Sequence, residues 1–153
     1  MRNLRKLILG LGLLLFVVGG ISLWRAMHPP LTTEQQIVAN MDDAARALEN
    51  RLPRGILRHL APEFSADGTS RKEFDSILKG MLFQWREVQV QRFNERVEVN
   101  GDSAVSSGTY RLSYRSAPDA PIESQSGSYS LQWRLLDGEW KVVAAKSDTA
   151  KSG

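Results

Sequence analysis

The sequence predicts an α+β domain carried behind one N-terminal membrane-spanning helix. Three observations lead there: an uncharged apolar run at residues 7–24, helical spacing of apolar residues from Thr33 to about Leu82, and a change to alternation from Glu87 onward. Helices come first and strands follow. That order predicts three helices packed on one face of a bent antiparallel sheet of about four strands.

The apolar run passes from Leu7 through Leu15 and Phe16 to Trp24, with Arg2, Arg5 and Lys6 before it and Arg25 after it. Eighteen residues at about 1.5 Å rise span roughly 27 Å, close to the hydrocarbon thickness of a bilayer. More cations lie upstream than downstream, so the positive-inside bias keeps residues 1–6 in the cytoplasm and exports the rest. A cleaved secretory signal is the competing reading. Against it, no A-x-A tripeptide closes the run, Ile21 and Leu23 extend it past Gly20, and Trp24 sits where an interfacial aromatic anchor belongs. The expected organisation is therefore a cytoplasmic start at 1–6, a signal anchor at 7–25, a Pro-containing linker at 26–32, a domain at 33–145 and a flexible tail at 146–153. The location that follows is a single pass through the cell membrane with the domain in the periplasm or its equivalent. Cysteine is absent, which excludes lipoprotein processing and any disulfide framework.

The net charge of +3 belongs to the membrane segment. With Arg2, Arg5, Lys6 and Arg25 set aside, sixteen Lys and Arg face seventeen Asp and Glu, interleaved along the chain. Nucleic acid is not an expected partner.

Pro29 and Pro30 stiffen the linker and break helical continuity with the span. Thr32 and Thr33 with Gln35 and Gln36 give a capping-box spacing. Ile37, Met41, Ala44, Ala45, Leu48 and Leu52 then predict a helix over 33–51. Pro53 opens a second, short helix with Ile56, Leu57 and Leu60 on one side, ended by Pro62. Ser70 and Glu73 cap a third helix reaching about Leu82. Among the strands, Val88 and Val90 alternate on even numbers while Phe93, Val97 and Val99 alternate on odd ones, which predicts a β-bulge between Gln91 and Asn94. Asn100-Gly101 reads as a two-residue hairpin turn pairing Val97 with Ala104 and Phe93 with Gly108. Residues 116–127, rich in Ser, Pro and Gly, read as a long loop. Asp137-Gly138 turns the last hairpin, pairing Leu135 with Trp140, Trp133 with Val142 and Leu131 with Ala144.

The order of elements, the segment Val97-Glu-Val-Asn-Gly-Asp-Ser-Ala-Val105 and the hairpin Trp133-Arg-Leu-Leu-Asp-Gly-Glu-Trp-Lys-Val-Val143 resemble the nuclear transport factor 2-like superfamily over roughly residues 33–145. The resemblance implies a cone-shaped α+β domain. It does not choose among the isomerases, dehydratases, polyketide cyclases, kinase assembly domains and membrane-anchored assembly factors built on that scaffold.

Chemistry in such a cone needs a polar acid/base pair pointing inward. The inward strand faces offer Tyr110, Tyr114, Tyr129, Trp133 and Trp140, with Glu95 near the bend as the one acid. His59 reads as a lone histidine on the short helix without a carboxylate partner. Asp42-Asp43 reads as a solvated pair favoured by a helix N-terminus. No metal-ligand spacing, phosphate-cradling glycine motif or cofactor signature occurs, and no catalytic residue is assigned. The outward sheet face is polar, with Arg111, Arg115, Gln132, Arg134 and Lys141 as a candidate partner face. Two functions follow. The favoured one is a non-enzymatic, membrane-tethered binding or assembly domain, with bilayer lipid around its anchor, an envelope or membrane protein as partner, and room for self-association. The alternative is a small-molecule pocket, or a degenerate isomerase or dehydratase, lined by Trp85, Tyr110, Tyr114, Tyr129 and Trp133 with His59. A cavity of some 300 Å³ or more separates the two. If His59 and an acid converge on it, the enzyme reading takes precedence.

Overall fold

The computed structural model describes residues 29–150. The apolar run at 7–24, and with it the anchor residues Leu7, Leu15, Phe16 and Trp24, lies outside the described residues. Among those that are described, no helix is long and apolar enough to cross a membrane.

Helix α1 (Thr33–Glu49) buries Ile37, Met41 and Ala47 along one stripe. It ends where the Leu52 N–H reaches the Ala47 carbonyl and the Arg51 N–H reaches that of Leu48, with Arg51 at a left-handed φ of 56°. Pro53 at the first turn starts the short helix α2 (Pro53–Leu57). Strand β1 (Leu60–Ala66) follows and turns into the two-residue strand β2 (Thr69–Ser70). Helix α3 (Arg71–Gln84) carries the expected capping box, in which the Glu73 N–H donates to Ser70 Oγ and Glu73 accepts from the Ser70 N–H. Four long strands complete the chain: β3 (Glu87–Asn100), β4 (Ser103–Arg115), β5 (Glu123–Leu136) and β6 (Glu139–Thr149).

The α+β class and the three helices stand. The sheet has six strands instead of about four, in the order β2-β1-β6-β5-β4-β3. It is also mixed, because β1 runs parallel to β6 while every other pair is antiparallel. The short helix expected to carry Leu60 and to end at Pro62 stops at Leu57, and residues 60–66 take another course. They form a strand because Pro62 falls where the β1–β6 register slips, between Leu60 and Ser65, and there its missing N–H costs no ladder bond. The loop expected at 116–127 shortens, since β5 resumes at Glu123 and Ser124, Ser126 and Ser128 pair with β4 and sit on the solvent side. Lys146 to Thr149, expected to fray, pair with β5.

The predicted bulge is present: Phe93 pairs with Thr109 and Arg96 with Ser107, so β3 spends one extra residue, with Asn94 at φ 55°. The β3–β4 turn is Gly101-Asp102, not Asn100-Gly101, which moves the partners to Val97↔Ser106, Val99↔Ala104 and Phe93↔Thr109. In the last hairpin the first two pairs hold. A register shift after Trp133 replaces Leu131↔Ala144 by Leu131↔Ala145. The core gathers Ile37, Met41, Phe64, Ala104, Trp133, Trp140 and Val142 between α1 and the concave sheet face. Inside it, buried Trp133 Nε1 donates to buried Ser106 Oγ at 2.9 Å, which satisfies both groups away from water.

Candidate active site

Between α1, α3 and the sheet lies a cavity of about 380 Å³. Its wall is mainly apolar: Met41, Ala44, Ala45 and Leu48 from α1, Phe74, Leu78 and Met81 from α3, and Leu112, Leu131, Trp133 and Val142 from the sheet. His59, Arg92, Tyr110 and Tyr129 are its polar members. Such a volume falls within the range of small-molecule sites.

His59 joins α2 to β1, so it is not borne on a helix as expected. Its backbone is fixed from both sides: its N–H donates to the Ile56 carbonyl at 3.1 Å, and its carbonyl accepts from the Val142 N–H at 2.8 Å. The imidazole is 12% exposed, and its Nε2 lies 2.7 Å from Asp43 Oδ2. A carboxylate only accepts, so Nε2 donates in this contact, while Arg58 Nε lies 3.4 Å from the same nitrogen. The acid that was missing from the sequence reading is therefore Asp43. It also receives the Arg58 guanidinium, with Arg46 at 3.7 Å. The hydrogen bond from His59, and after it the one from Arg58, holds the Asp43 carboxyl below its ordinary value of 3.8.

Asp42 is engaged as well. Consecutive residues of a helix diverge by about 100°, so the two aspartates fan out to different flanks of the Met41–Ala45 stripe. Asp43 meets His59; Asp42 meets Arg92 on β3, whose guanidinium also binds Glu95. Burial pulls the Arg92 pKa down, but hydrogen bonds to Glu95 and Asp42 outweigh it and raise it above the ordinary guanidinium value. Reading the pair as solvated residues near an N-terminus is corrected by their place: they are the tenth and eleventh of seventeen residues in α1. Acids in mid-helix beside an apolar stripe were the available signal. The bulge supplies the rest, because its extra residue lets Arg92 line the cavity while Glu95, three residues on, turns back to it.

The two tyrosines lie over glycines of the neighbouring strand. Tyr129 pairs with Gly108 and Tyr110 with Gly127. A methyl group at Gly108 would come within 2.9 Å of Tyr129 Oη, and one at Gly127 within 3.0 Å of the Tyr110 ring. The absent side chains leave room for both rings against the neighbouring strand.

Of the residues expected to line a pocket, His59, Trp85, Tyr110, Tyr129 and Trp133 are brought together in the wall. Tyr114 is not in it. Its ring stacks on Trp85 at 4.7 Å, and its hydroxyl donates to Glu123 at 2.9 Å. The outward-face cations are largely committed within the chain: Arg115 to Glu87 and the Pro118 carbonyl, Arg134 to Glu63, Lys141 to Glu139 and the Arg58 carbonyl. Arg111 and Gln132 stay exposed on that face. Among the described residues, no three His, Cys, Asp or Glu side chains converge as a metal site would require.

No family model matches the chain, and no curated protein matches it. Solved structures do. A provisionally named scytalone dehydratase from Novosphingobium aromaticivorans superposes with a TM-score of 0.71 at 18% identity, covering 76% of this chain and 83% of its own. A provisionally named dehydratase of the nuclear transport factor 2-like family from Streptomyces avermitilis gives 0.70 at 14% identity, covering 76% and 95%. A provisionally named calcium/calmodulin dependent protein kinase II association domain from Xanthomonas campestris gives 0.68 at 17% identity, covering 82% and 93%. At these identities the likeness establishes architecture and not activity. The chain has the nuclear transport factor 2-like, cystatin-like fold.

Proposed function

We propose that this domain binds a small apolar molecule in its cavity and moves a proton on it, as an isomerase or dehydratase does, with His59 as the acid/base group and Asp43 as the residue that orients it. One observation carries the reading: His59 stands in the wall of a 380 Å³ apolar cavity and is held by Asp43 at 2.7 Å. A histidine whose far nitrogen is tied to a carboxylate has a fixed tautomer and a fixed ring plane, which is what proton transfer requires of it. Nδ1 is the ring nitrogen that Asp43 does not engage. Two of the similar structures are named as dehydratases, which agrees with the reading without carrying it. The tethered assembly domain takes second place. It rested on the apolar run at 7–24, which lies outside the described residues, together with the lack of an acid/base pair, and three of its five face residues are paired within the chain.

The test needs no natural substrate. 2-Acetylnaphthalene is neutral, apolar and carries exchangeable protons beside its carbonyl. In deuterated buffer the full-length protein is expected to speed deuterium entry into its methyl group, and His59→Gln to lose that acceleration by about a hundredfold, the scale of general acid/base catalysis. Equal rates with both proteins would contradict the proposal.

A further inference from the structure

Three large apolar side chains stand in water at one end of the domain. Phe83 is 90% exposed, Ile122 60% and Leu52 56%. They come from three separate segments, and the contacts around Trp85 bring those segments together. Phe83 lies two residues before Trp85. Trp85 stacks on Tyr114 at 4.7 Å, and the Tyr114 hydroxyl donates to Glu123, the residue after Ile122. Arg51 Nη1 donates to the Trp85 carbonyl at 3.1 Å, which brings in its neighbour Leu52. Single exposed apolar residues are ordinary, whereas a group of them marks a surface that meets something apolar. The cavity has its open end on the same side. Its floor is the buried set Met41, Phe64, Trp133 and Val142, and its half-buried members Leu48, Met81, Trp85 and Leu112 lie where α1 and α3 finish and β3 begins.

We infer that the end of the domain formed by Leu52, Phe83 and Ile122 rests on a lipid bilayer, with the Trp85–Tyr114 pair at headgroup level, where amphipathic aromatic rings settle. The chain itself points to a bilayer as the occupant. Its uncharged run at 7–24 has the length of a membrane span, and residues 25–32 separate that run from α1. Eight residues reach at most roughly 27 Å, and the seventeen residues of α1 measure roughly 26 Å. A domain held through Thr33 can therefore bring the far end of α1 down to the surface. Charge sets the character of the contact. Arg51, Arg54 and Arg86 are offset by Glu49, Asp119 and Glu123, and Arg115 lies 3.7 Å from Glu87. The attraction is apolar, so anionic lipid is not required. A second part of the inference rests on the proposed use of the cavity: this contact sets the open end against the phase in which an apolar ligand dissolves.

The sequence has no cysteine, so one introduced cysteine carries one nitroxide label. Full-length protein labelled through Phe83→Cys, Ile122→Cys or Val105→Cys is reconstituted in vesicles of phosphatidylcholine alone. Collisions with oxygen, which concentrates in lipid, are compared with collisions with a water-soluble nickel chelate. Val105 is the control for apolar exposure by itself, being 42% exposed and near the opposite end of β4 from Tyr114. Labels at 83 and 122 are expected to lose most of their nickel broadening in vesicles and to keep that from oxygen, while the label at 105 keeps both. Adding Leu52→Asp to the protein labelled at 83 is expected to restore the nickel broadening. Equal nickel broadening at all three positions, or protein that does not sediment with the vesicles, overturns the bilayer contact. Spin–spin broadening between labels at 83 that fades on dilution with unlabelled protein assigns the patch to a second copy and overturns it as well. None of these readings depends on the cavity. Loss of the proton-transfer activity with nickel protection intact leaves the contact standing and overturns the ligand route alone.

Discussion

Asp43 shows how much one carboxylate can decide. In the sequence it is half of an Asp-Asp pair on a helix; in the fold it lies 2.7 Å from His59 and also receives Arg58. Sixteen residues separate aspartate and histidine, and the Leu52-Pro53 corner reverses the chain between them, so no local pattern could announce the pair. The pairing has a consequence for stability. Unfolded Asp43 takes up a proton near its ordinary value of 3.8, whereas in the fold the carboxyl resists protonation until lower pH. The folded state therefore gains from this group above pH 3.8 and loses that gain as pH falls through the lowered value. Asp43→Asn is expected to flatten the acid limb of thermal midpoint against pH below 3.8. An acid limb as steep as that of the parent protein would show that Asp43 is not so held.

Elements were legible where one period ran uninterrupted. The stripe Ile37, Met41, Ala44, Ala45 and Leu48 marked α1, and Ser70 with Glu73 marked the start of α3. The parity change from Val88 and Val90 to Val97 and Val99 marked the bulge, because an extra residue lets both sets face inward, whereas Phe93, expected with the odd set, precedes the slip and is 47% exposed. Strand β1 was illegible for a physical reason: it lies near the sheet edge, holds Pro62 at a register slip, and is too short to show alternation. The β3–β4 turn failed more narrowly. Asn100-Gly101 and Gly101-Asp102 are both good turn sequences, and they differ by two in register. Gly108 and Gly127 gave no sequence signal, yet they decide where two tyrosine rings lie. Gly108→Ala would place a methyl 2.8 Å from the Phe93 carbonyl and 2.9 Å from Tyr129 Oη. It is expected to cost about 1–3 kcal/mol in urea unfolding, the range for overpacking. A cost below about 0.5 kcal/mol would mean that the ring is free to move aside.

At the scale of the whole molecule, a six-stranded bent sheet and three helices leave a space of about 380 Å³ that the core side chains do not fill. Interiors are ordinarily packed to crystal density, so a retained space of this size, walled by apolar groups and one oriented histidine, sets this domain apart from a packed scaffold. The sequence named Trp85, Tyr110, Tyr129, Trp133 and His59 as wall residues because strand parity and helix phase orient them. It missed Arg92, Asp42 and Asp43, because long-range ion pairs leave no periodic trace. The central claim, that His59 presents its ring to a ligand inside this cavity, can be tested by nuclear Overhauser contact. With only two histidines in the chain, ring labelling with carbon-13 resolves His59 from His28. The account predicts cross-peaks between the His59 ring protons and the methyl group of bound 2-acetylnaphthalene, absent when the probe is withdrawn. Saturating binding of the probe with no contact to the His59 ring would contradict it.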